Sequence, residues 1–152
     1  MKFSTQEEYG VRCLLQIARA GEGEALTIPE ISQAEGLSEA TVGKLLRLLR
    51  IGGFILSERG RDGGYTLARD PSEIVLGNVL AALGDRIIGD DFCEKHSGVK
   101  NFCVHTIDCT VFSLWERVQS AVDEILFSTT LRDLLPGRSP ATVEVTGVSG
   151  HR

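Results

Sequence analysis

Three cysteines in the second half of the chain carry its most reactive chemistry. Cys93, Cys103 and Cys109 are separated by nine and by five residues. The N-terminus has neither an apolar core nor a small-residue cleavage site, so we predict no signal peptide and expect the cytoplasm as the location. Outside secreted proteins, grouped cysteines more often hold a metal than form disulfides. The three thiols therefore predict a metal site.

The cysteine spacing favours an iron–sulfur cluster over zinc. The CxxC pair typical of zinc sites is absent, whereas irregularly spaced loop thiolates are typical of iron–sulfur ligation. Three thiolates leave one position for His96, His105, a carboxylate or water. The same thiols would also suit a metal-free switch that forms sulfenic acid or a disulfide under oxidation. Cys13 lies among apolar residues and is expected in the core instead.

A helix-turn-helix precedes the cysteines. Capping boxes at Ser4 and Thr27 predict one helix from Ser4 to about Ala20 and a second over Ile28–Glu35, and Ser38 caps a third over residues 39 to about 50. A helix, a short turn with glycine and another helix form a DNA-binding unit in which the second helix enters the major groove. The residues predicted to face DNA from this unit are Ser38, Glu39, Thr41, Lys44 and Arg47.

A glycine- and arginine-rich hairpin is predicted next. Residues 54–56 and 65–67 have the pattern of two short strands, and Arg59, Arg61 and Gly63 lie in the turn between them. Such a hairpin after a recognition helix is typical of the wing of a winged helix, which contacts the DNA backbone or minor groove. An ordinary surface hairpin is the alternative.

The charge distribution agrees with a nucleic-acid partner although the net charge is −5. Residues 41–69 contain six basic and two acidic side chains, which gives this segment a net charge of +4. No apolar run is long enough for a membrane span. We also find no nucleotide-binding glycine motif, no Ser–His–Asp set and no paired catalytic carboxylates, so we predict no enzyme activity.

The C-terminal half is predicted to end in a dimerisation helix. Apolar residues recur with helical spacing from Val111 to Leu126, and that stripe would pack against a second copy, against the chain's own first helix, or against both. The fold class is therefore mainly α with a small β-hairpin. The predicted divisions are a winged helix-turn-helix over 1–70, a linker helix and cysteine loop over 71–110, a dimerisation helix over 111–135 and a flexible tail over 136–152.

Several stretches resemble a bacterial family, the IscR/NsrR-type iron–sulfur transcription regulators. The similarity covers about residues 1–135, and its most specific part is the run Arg-Gly-Arg-Asp-Gly-Gly-Tyr-Thr-Leu-Ala at residues 59–68. It implies a homodimeric DNA-binding regulator, expected to be a repressor. A 2Fe–2S or 4Fe–4S cluster, held by the three cysteines of one subunit, would sense redox state, iron or nitric oxide.

The resemblance also supplies candidates for the fourth ligand. One branch uses a histidine three residues after the last cysteine, where this chain has Phe112. Another uses a carboxylate on the partner's first helix, which matches Glu8, and a third adds a histidine where this chain has Arg12. The resemblance therefore implies Glu8 of the partner subunit as a ligand, although a carboxylate near a helix N-terminus is also favoured by the helix dipole alone.

Overall fold

The first three helices begin at side chains that cap them. A computed structural model describes residues 3–61, 63–84, 92–100 and 109–137. In it, α1 spans Thr5–Ala20, α2 spans Ile28–Glu35 and α3 spans Glu39–Ile51. Both predicted capping boxes form, since the carboxylates of Glu7 and Glu30 accept hydrogen bonds from the backbone N–H of Ser4 and Thr27 at 2.6 and 2.7 Å. The N-terminal signals therefore predicted these starts correctly.

The hairpin pairs with an additional segment. Strands β1 (Ile55–Glu58) and β2 (Gly64–Leu67) are antiparallel, and the backbone N–H of Tyr65 also donates to the carbonyl of Leu26 at 2.8 Å. A Cβ atom on Gly64 would lie 2.6 Å from that carbonyl oxygen, so this close approach requires glycine. The main chain before α2 thus holds the base of the hairpin.

The rest of the described chain alternates short helical turns with two longer helices. A 3₁₀ turn over Pro71–Glu73 leads to α4 (Leu76–Leu83), the helix expected within residues 71–110. The cysteine segment, predicted as an irregular loop, contains the one-turn helix α5 (Phe92–Lys95) and a 3₁₀ turn (Gly98–Lys100) in its described part. Helix α6 spans Thr110–Ser128, and a final 3₁₀ turn covers Leu131–Leu134.

One core joins the winged domain to the C-terminal elements. Fully buried apolar side chains come from helices α1, α2, α3 and α4, from strand β1 and from the turn after α6. The largest of these side chains are Leu14, Ile17, Ile31, Val42, Leu45, Leu46, Leu49, Ile55, Ile74, Val79, Leu83 and Leu131. The two proposed units 1–70 and 111–135 thus share a hydrophobic core.

Helix α6 packs on α4. Within the chain, the sequence suggested α1 as the support for α6, but the main contact is with α4, where Phe127 lies over Gly77. A Cβ atom on Gly77 would come within 2.8 Å of the Phe127 ring, so the absence of a side chain there allows the close approach. The expectation that α6 packs on α1 within the chain is therefore wrong, because its main support is α4.

Two backbone hydrogen bonds attach the end of α6 to the segment that follows the hairpin. The N–H of Leu76 donates to the carbonyl of Thr129 at 2.9 Å, and the N–H of Leu131 donates to the carbonyl of Ile74 at 2.8 Å. The side chain of Leu131, beside these hydrogen bonds, is fully buried. None of the helices in the described ranges has the length and apolar character needed to cross a membrane.

Candidate DNA interface and thiol site

Helix α3 presents polar side chains on the face opposite its buried stripe. Glu39, Lys44 and Arg47 are exposed, whereas Val42, Leu45, Leu46 and Leu49 are buried. Ser38 and Thr41 contact each other, because the Ser38 hydroxyl accepts from the N–H of Thr41 at 3.2 Å and lies 2.8 Å from its hydroxyl. Lys44 and Arg47 therefore lie on the exposed face of α3, and Ser38, Glu39 and Thr41 lie at its N-terminal end, where Ser38 caps the helix.

The hairpin carries its arginines at an exposed tip. Arg59 and Arg61 are both exposed, while Asp62 lies outside the described residues. Gly63 closes the turn with a hydrogen bond to the carbonyl of Gly60 at 3.1 Å, and a Cβ atom there would lie 2.7 Å from the carbonyl oxygen of Glu58. The turn itself thus requires glycine at position 63, independently of DNA.

An ion pair between Arg12 of α1 and Glu35 of α2 connects these two helices. Arg12 Nε lies 2.7 Å from Glu35 Oε2, and Gln16 donates to the other carboxylate oxygen at 2.6 Å. Burial raises the pKa of Glu35, but the hydrogen bonds from Gln16 and Arg12 outweigh it and lower the pKa below its ordinary value. Residue patterns do not predict this contact, because its partners are on different helices.

Two of the three predicted cysteine ligands lie in the described segments, and aromatic residues beside them contact each other. Cys109 caps α6, and its Sγ accepts the N–H of Phe112 at 3.3 Å. Cys93 lies in α5 directly after Phe92, whose ring centroid is 6.5 Å from that of Phe112. Both thiols are half-buried, and neither forms a disulfide among the described residues. Cys103 lies outside those residues.

The remaining ligand candidates are placed differently. Glu8 is exposed on the first turn of α1, and His96 is exposed after α5 with its Nδ1 atom 2.8 Å from the carbonyl oxygen of Phe92. His105 lies outside the described residues. Within the part of the chain that the structure describes, no three His, Cys, Asp or Glu side chains converge into a metal-binding group. Cys93 and Cys109 are therefore two members of a candidate set whose third cysteine is not described.

Cys13 is separate from this site. It lies in the core with no exposed surface, as predicted, and burial is the main reason that its pKa rises to about 11. A buried thiol with a high pKa is a poor ligand and a poor nucleophile near neutral pH. Thiol chemistry in the described residues is therefore concentrated at Cys93 and Cys109.

The helix-turn-helix and its hairpin define the class of this protein, a winged-helix DNA-binding regulator. A family model described as "Rrf2: Iron-dependent Transcriptional regulator" matches residues 3–137. The chain belongs to the Rrf2 family of transcriptional regulators.

Similar proteins agree with this assignment. The chain is 32% identical to protein rrf2 of Nitratidesulfovibrio vulgaris over 151 residues, which covers 99% of this chain and 98% of that protein. It is 34% identical to the regulator CymR of Bacillus subtilis over 135 residues, with 88% and 89% covered. The solved structure of T. potens IscR superposes with a TM-score of 0.70 at 30% identity and covers 88% of this chain and 85% of its own. CymR is named as an HTH-type transcriptional regulator, and the resemblance and fold class predicted from sequence are confirmed.

Proposed function

We propose that this protein is a dimeric transcriptional repressor whose affinity for DNA depends on an iron–sulfur cluster bound by Cys93, Cys103 and Cys109. The observation that carries the proposal is the position of Cys109, which caps α6 with its sulfur atom. The N–H of Phe112 donates a hydrogen bond to that sulfur, as donors commonly do to the sulfurs of iron–sulfur ligands. The iron in the family description supports a metal ligand in this role.

The donor set suits iron. Cys93 and Cys109 supply thiol sulfurs that are half-buried, and a hydrogen bond to a cluster ligand of this kind tunes its reduction potential. When bound, the cluster would supply a redox-sensitive link between the cysteine segment and the start of α6. Its fourth ligand is Glu8 of the partner subunit, as the resemblance implies, or a residue of the same subunit.

We assign DNA binding to the exposed face of α3 and to the tip of the hairpin. Glu39, Lys44 and Arg47 would reach base edges or phosphates in the major groove, with Ser38 and Thr41 at the start of the helix. Arg59 and Arg61 would contact the backbone or minor groove, and Gly63 shapes the turn that carries them. The proposed partner is double-stranded DNA, and the proposed location of the protein is the cytoplasm.

Dimerisation is assigned to α6. Val111, Leu114 and Ile125 remain substantially exposed on one face of this helix, between 40% and 58%. An apolar stripe of this kind on a regulator that reads two half-sites is best covered by a second copy. In this arrangement the divisions 1–70, 71–110 and 111–135 serve DNA binding, cluster binding and dimerisation, followed by a tail over 136–152.

Coupling between the two functions would run through the attachment of α6 to the winged domain. Cys109 lies at the first turn of α6, while the hydrogen bonds of Thr129 and Leu131 attach its other end to the chain after the hairpin. A change at the cysteine end that reorients α6 would therefore change the orientation of the winged domain. Since both recognition helices must enter grooves about one helical turn apart, a modest reorientation lowers the affinity.

A metal-free thiol switch is the second candidate. Cys93 and Cys109 are half-buried free thiols, and a structure of Staphylococcus aureus CymR, 27% identical to this chain, is titled as its oxidized form. Another similar structure, from B. subtilis, is titled as a global cysteine regulator. In this alternative, oxidation of the same cysteines would replace loss of the cluster as the signal.

Anaerobic purification separates the two candidates. The cluster regulator should contain iron and sulfide, absorb in the visible range and lose DNA affinity when these are removed by a chelator. Cys109→Ser should abolish the cluster, whereas Cys13→Ala, the matched control, should retain it because Cys13 lies in the core. A colourless protein whose DNA affinity responds to peroxide and is restored by a thiol reductant would support the thiol switch and contradict the cluster.

A further inference from the structure

We propose that Glu39 determines base preference at one position of the operator, by accepting a hydrogen bond from the exocyclic amino group of a cytosine in the major groove. This inference rests on the proposed function, because it requires α3 to enter that groove. It deepens that function by matching one side chain of the helix to one group on the DNA.

Glu39 is an exposed carboxylate at the start of α3. It is the first residue of the helix and directly follows the cap residue Ser38. In helix-turn-helix proteins, the residues at the N-terminal end of the recognition helix are those that contact base edges. A side chain at this position would therefore meet base pairs when α3 binds DNA.

The carboxylate of Glu39 has no partner in the part of the chain that the structure describes. Neither a hydrogen bond nor an ion pair joins this side chain to another described residue. Within a helix, a cation reaches a carboxylate from three or four residues further on, and here these positions hold Val42 and Gly43. Glu39 is thus an acidic side chain without an intrahelical cation, on a helix whose exposed face also carries Lys44 and Arg47.

Gly43 leaves open space one turn after Glu39. Residues four apart lie on the same side of a helix. Apart from the backbone of its own helix, a Cβ atom at Gly43 would meet only the Cδ1 atom of Ile28, at 3.7 Å, which is an ordinary contact. Packing within the chain therefore does not require glycine here, although glycine is a poor helix former. The absence of a side chain leaves room for a base pair beside Glu39.

The chemistry of a carboxylate selects the base. An ionised carboxylate accepts hydrogen bonds and donates none, and phosphates repel it. Its attractive partners in the major groove are therefore the amino groups of cytosine and adenine. Adenine presents the acceptor N7 beside its amino group, and this atom would repel the second oxygen of the carboxylate. Cytosine has no acceptor there, so cytosine is the base that fits Glu39.

Rejection of other bases is the larger part of the expected effect. Thymine and guanine present only acceptors in the major groove, so opposite these bases the carboxylate would be desolvated without a hydrogen bond. Lys44, Arg47 and the hairpin arginines would still attract such a duplex. Glu39 therefore widens the difference in affinity between the correct and the incorrect operator, which is what specificity measures.

Selection from a randomised duplex library tests the assignment. The full chain is purified anaerobically and compared with Glu39→Ala and with Glu24→Gln, a control that removes an exposed carboxylate between α1 and α2. The wild type and the control should prefer cytosine at one position of each half-site by about tenfold or more. Glu39→Ala should lose the preference at that position alone, and should bind duplexes with another base there at least as tightly as the wild type.

An atomic substitution in the DNA completes the test. The selected cytosine is replaced by an analogue that lacks the amino group, and binding is titrated. The affinity of the wild type should fall by about tenfold and that of Glu39→Ala by much less. Any change in the duplex itself is common to both proteins, so the comparison isolates the contact.

Three results would overturn the assignment and leave the proposed function intact. They are a wild type that selects a duplex without a cytosine preference, a preference that persists in Glu39→Ala, and equal losses in both proteins when the amino group is removed. A merely structural role of Glu39 would give the last two, with weaker binding of Glu39→Ala to every duplex. Failure of the wild type to select any duplex would overturn both the assignment and the proposed function.

Discussion

The backbone N–H of Leu131 donates a 2.8 Å hydrogen bond to the carbonyl oxygen of Ile74, and both side chains are fully buried. Ile74 follows the hairpin, and Leu131 follows α6. The contact therefore joins the end of the proposed dimerisation helix to the base of the proposed wing. Arg132, next to Leu131, forms an exposed ion pair with Asp70 at 3.3 Å. Asp70 lies even closer to the hairpin in sequence than Ile74 does.

We predict that Leu131 is among the most important residues for stability in this joint. Leu131→Ala should lower the free energy of unfolding by about 2–5 kcal/mol, because it leaves a cavity in the core. Arg132→Ala in the same turn is the control and should cost about 1 kcal/mol or less, since an exposed ion pair contributes little. Urea denaturation of the metal-free protein measures both. Equal losses of unfolding free energy in the two variants would show that burial of Leu131 does not stabilise this contact.

The hairpin arginines are predicted to contact phosphate. Arg59→Ala and Arg61→Ala should each weaken binding to a duplex selected by the wild type by about 1.5–3 kcal/mol, and should reduce the salt dependence by about one unit of slope. Titrations at several salt concentrations measure both effects. Arg19→Ala removes an exposed charge from the end of α1 and should change neither value by as much. Wild-type affinity and slope in both hairpin variants would contradict the wing assignment.

Cys109 is the N-cap residue of α6 and a proposed cluster ligand, and two substitutions separate these roles. Cys109→Ser keeps an N-cap side chain, so the metal-free protein should be at least as stable as the wild type. Cys109→Ala removes the acceptor for the N–H of Phe112 and should cost about 0.5–2 kcal/mol of stability. Iron content should fall in both variants. Retention of the cluster by either one would exclude Cys109 as a ligand.

Glu35 should make the stability of the metal-free protein depend on pH. Hydrogen bonds from Gln16 and Arg12 hold its pKa below the ordinary 4.5, so its ionised form stabilises the fold above that pH. This contribution is lost as the pH falls through the lowered pKa. Arg12→Met should therefore destabilise the protein at pH 7, and the difference from wild type should shrink below pH 4.5.

Chemical denaturation from pH 7 down to the acid limit of the fold measures this difference. The variant Glu24→Gln removes an exposed carboxylate between α1 and α2 and serves as the control, with a stability profile close to that of the wild type. A difference between Arg12→Met and wild type that stays constant with pH would mean that the ion pair with Glu35 is not its cause.

The exposed stripe of α6 is predicted to hold the dimer together. Leu114→Glu and Ile125→Glu should convert the protein to monomers, because each places a charge in the apolar contact. Glu124→Lys, an exposed substitution on the same helix, is the control. Sedimentation equilibrium measures the molecular mass in each case. If all three variants remain dimers, the dimer interface lies on another surface of the protein.

Local signals predicted most of the fold. The capping boxes at Ser4 and Thr27 placed two helices correctly, since they depend only on residues three apart. The strands moved toward the turn because Phe54, predicted within the first strand, packs in the core and donates its N–H to Leu49 at the end of α3. Such a contact depends on the tertiary arrangement, so the apolar pattern alone could not locate the boundary.

The site was less predictable for the same reason. The spacing of the cysteines predicts a metal site, which stays a prediction. It could not place Phe92 between His96 and Phe112, because this depends on how α5 meets α6. The Arg12–Glu35 ion pair and the bond between Leu131 and Ile74 also join residues far apart in sequence. Residue periodicity contains no information on such pairs.

The hydrogen bonds between Leu26 and Tyr65 have a consequence for how the hairpin can change. They are made by peptide groups, so the orientation of the hairpin base does not depend on which side chains occupy its tip. If the tip arginines contact phosphate as predicted, substitutions at Arg59 or Arg61 change the affinity for DNA while the backbone that presents them stays in place. Affinity can then be tuned by changes at the tip alone, without rebuilding the domain.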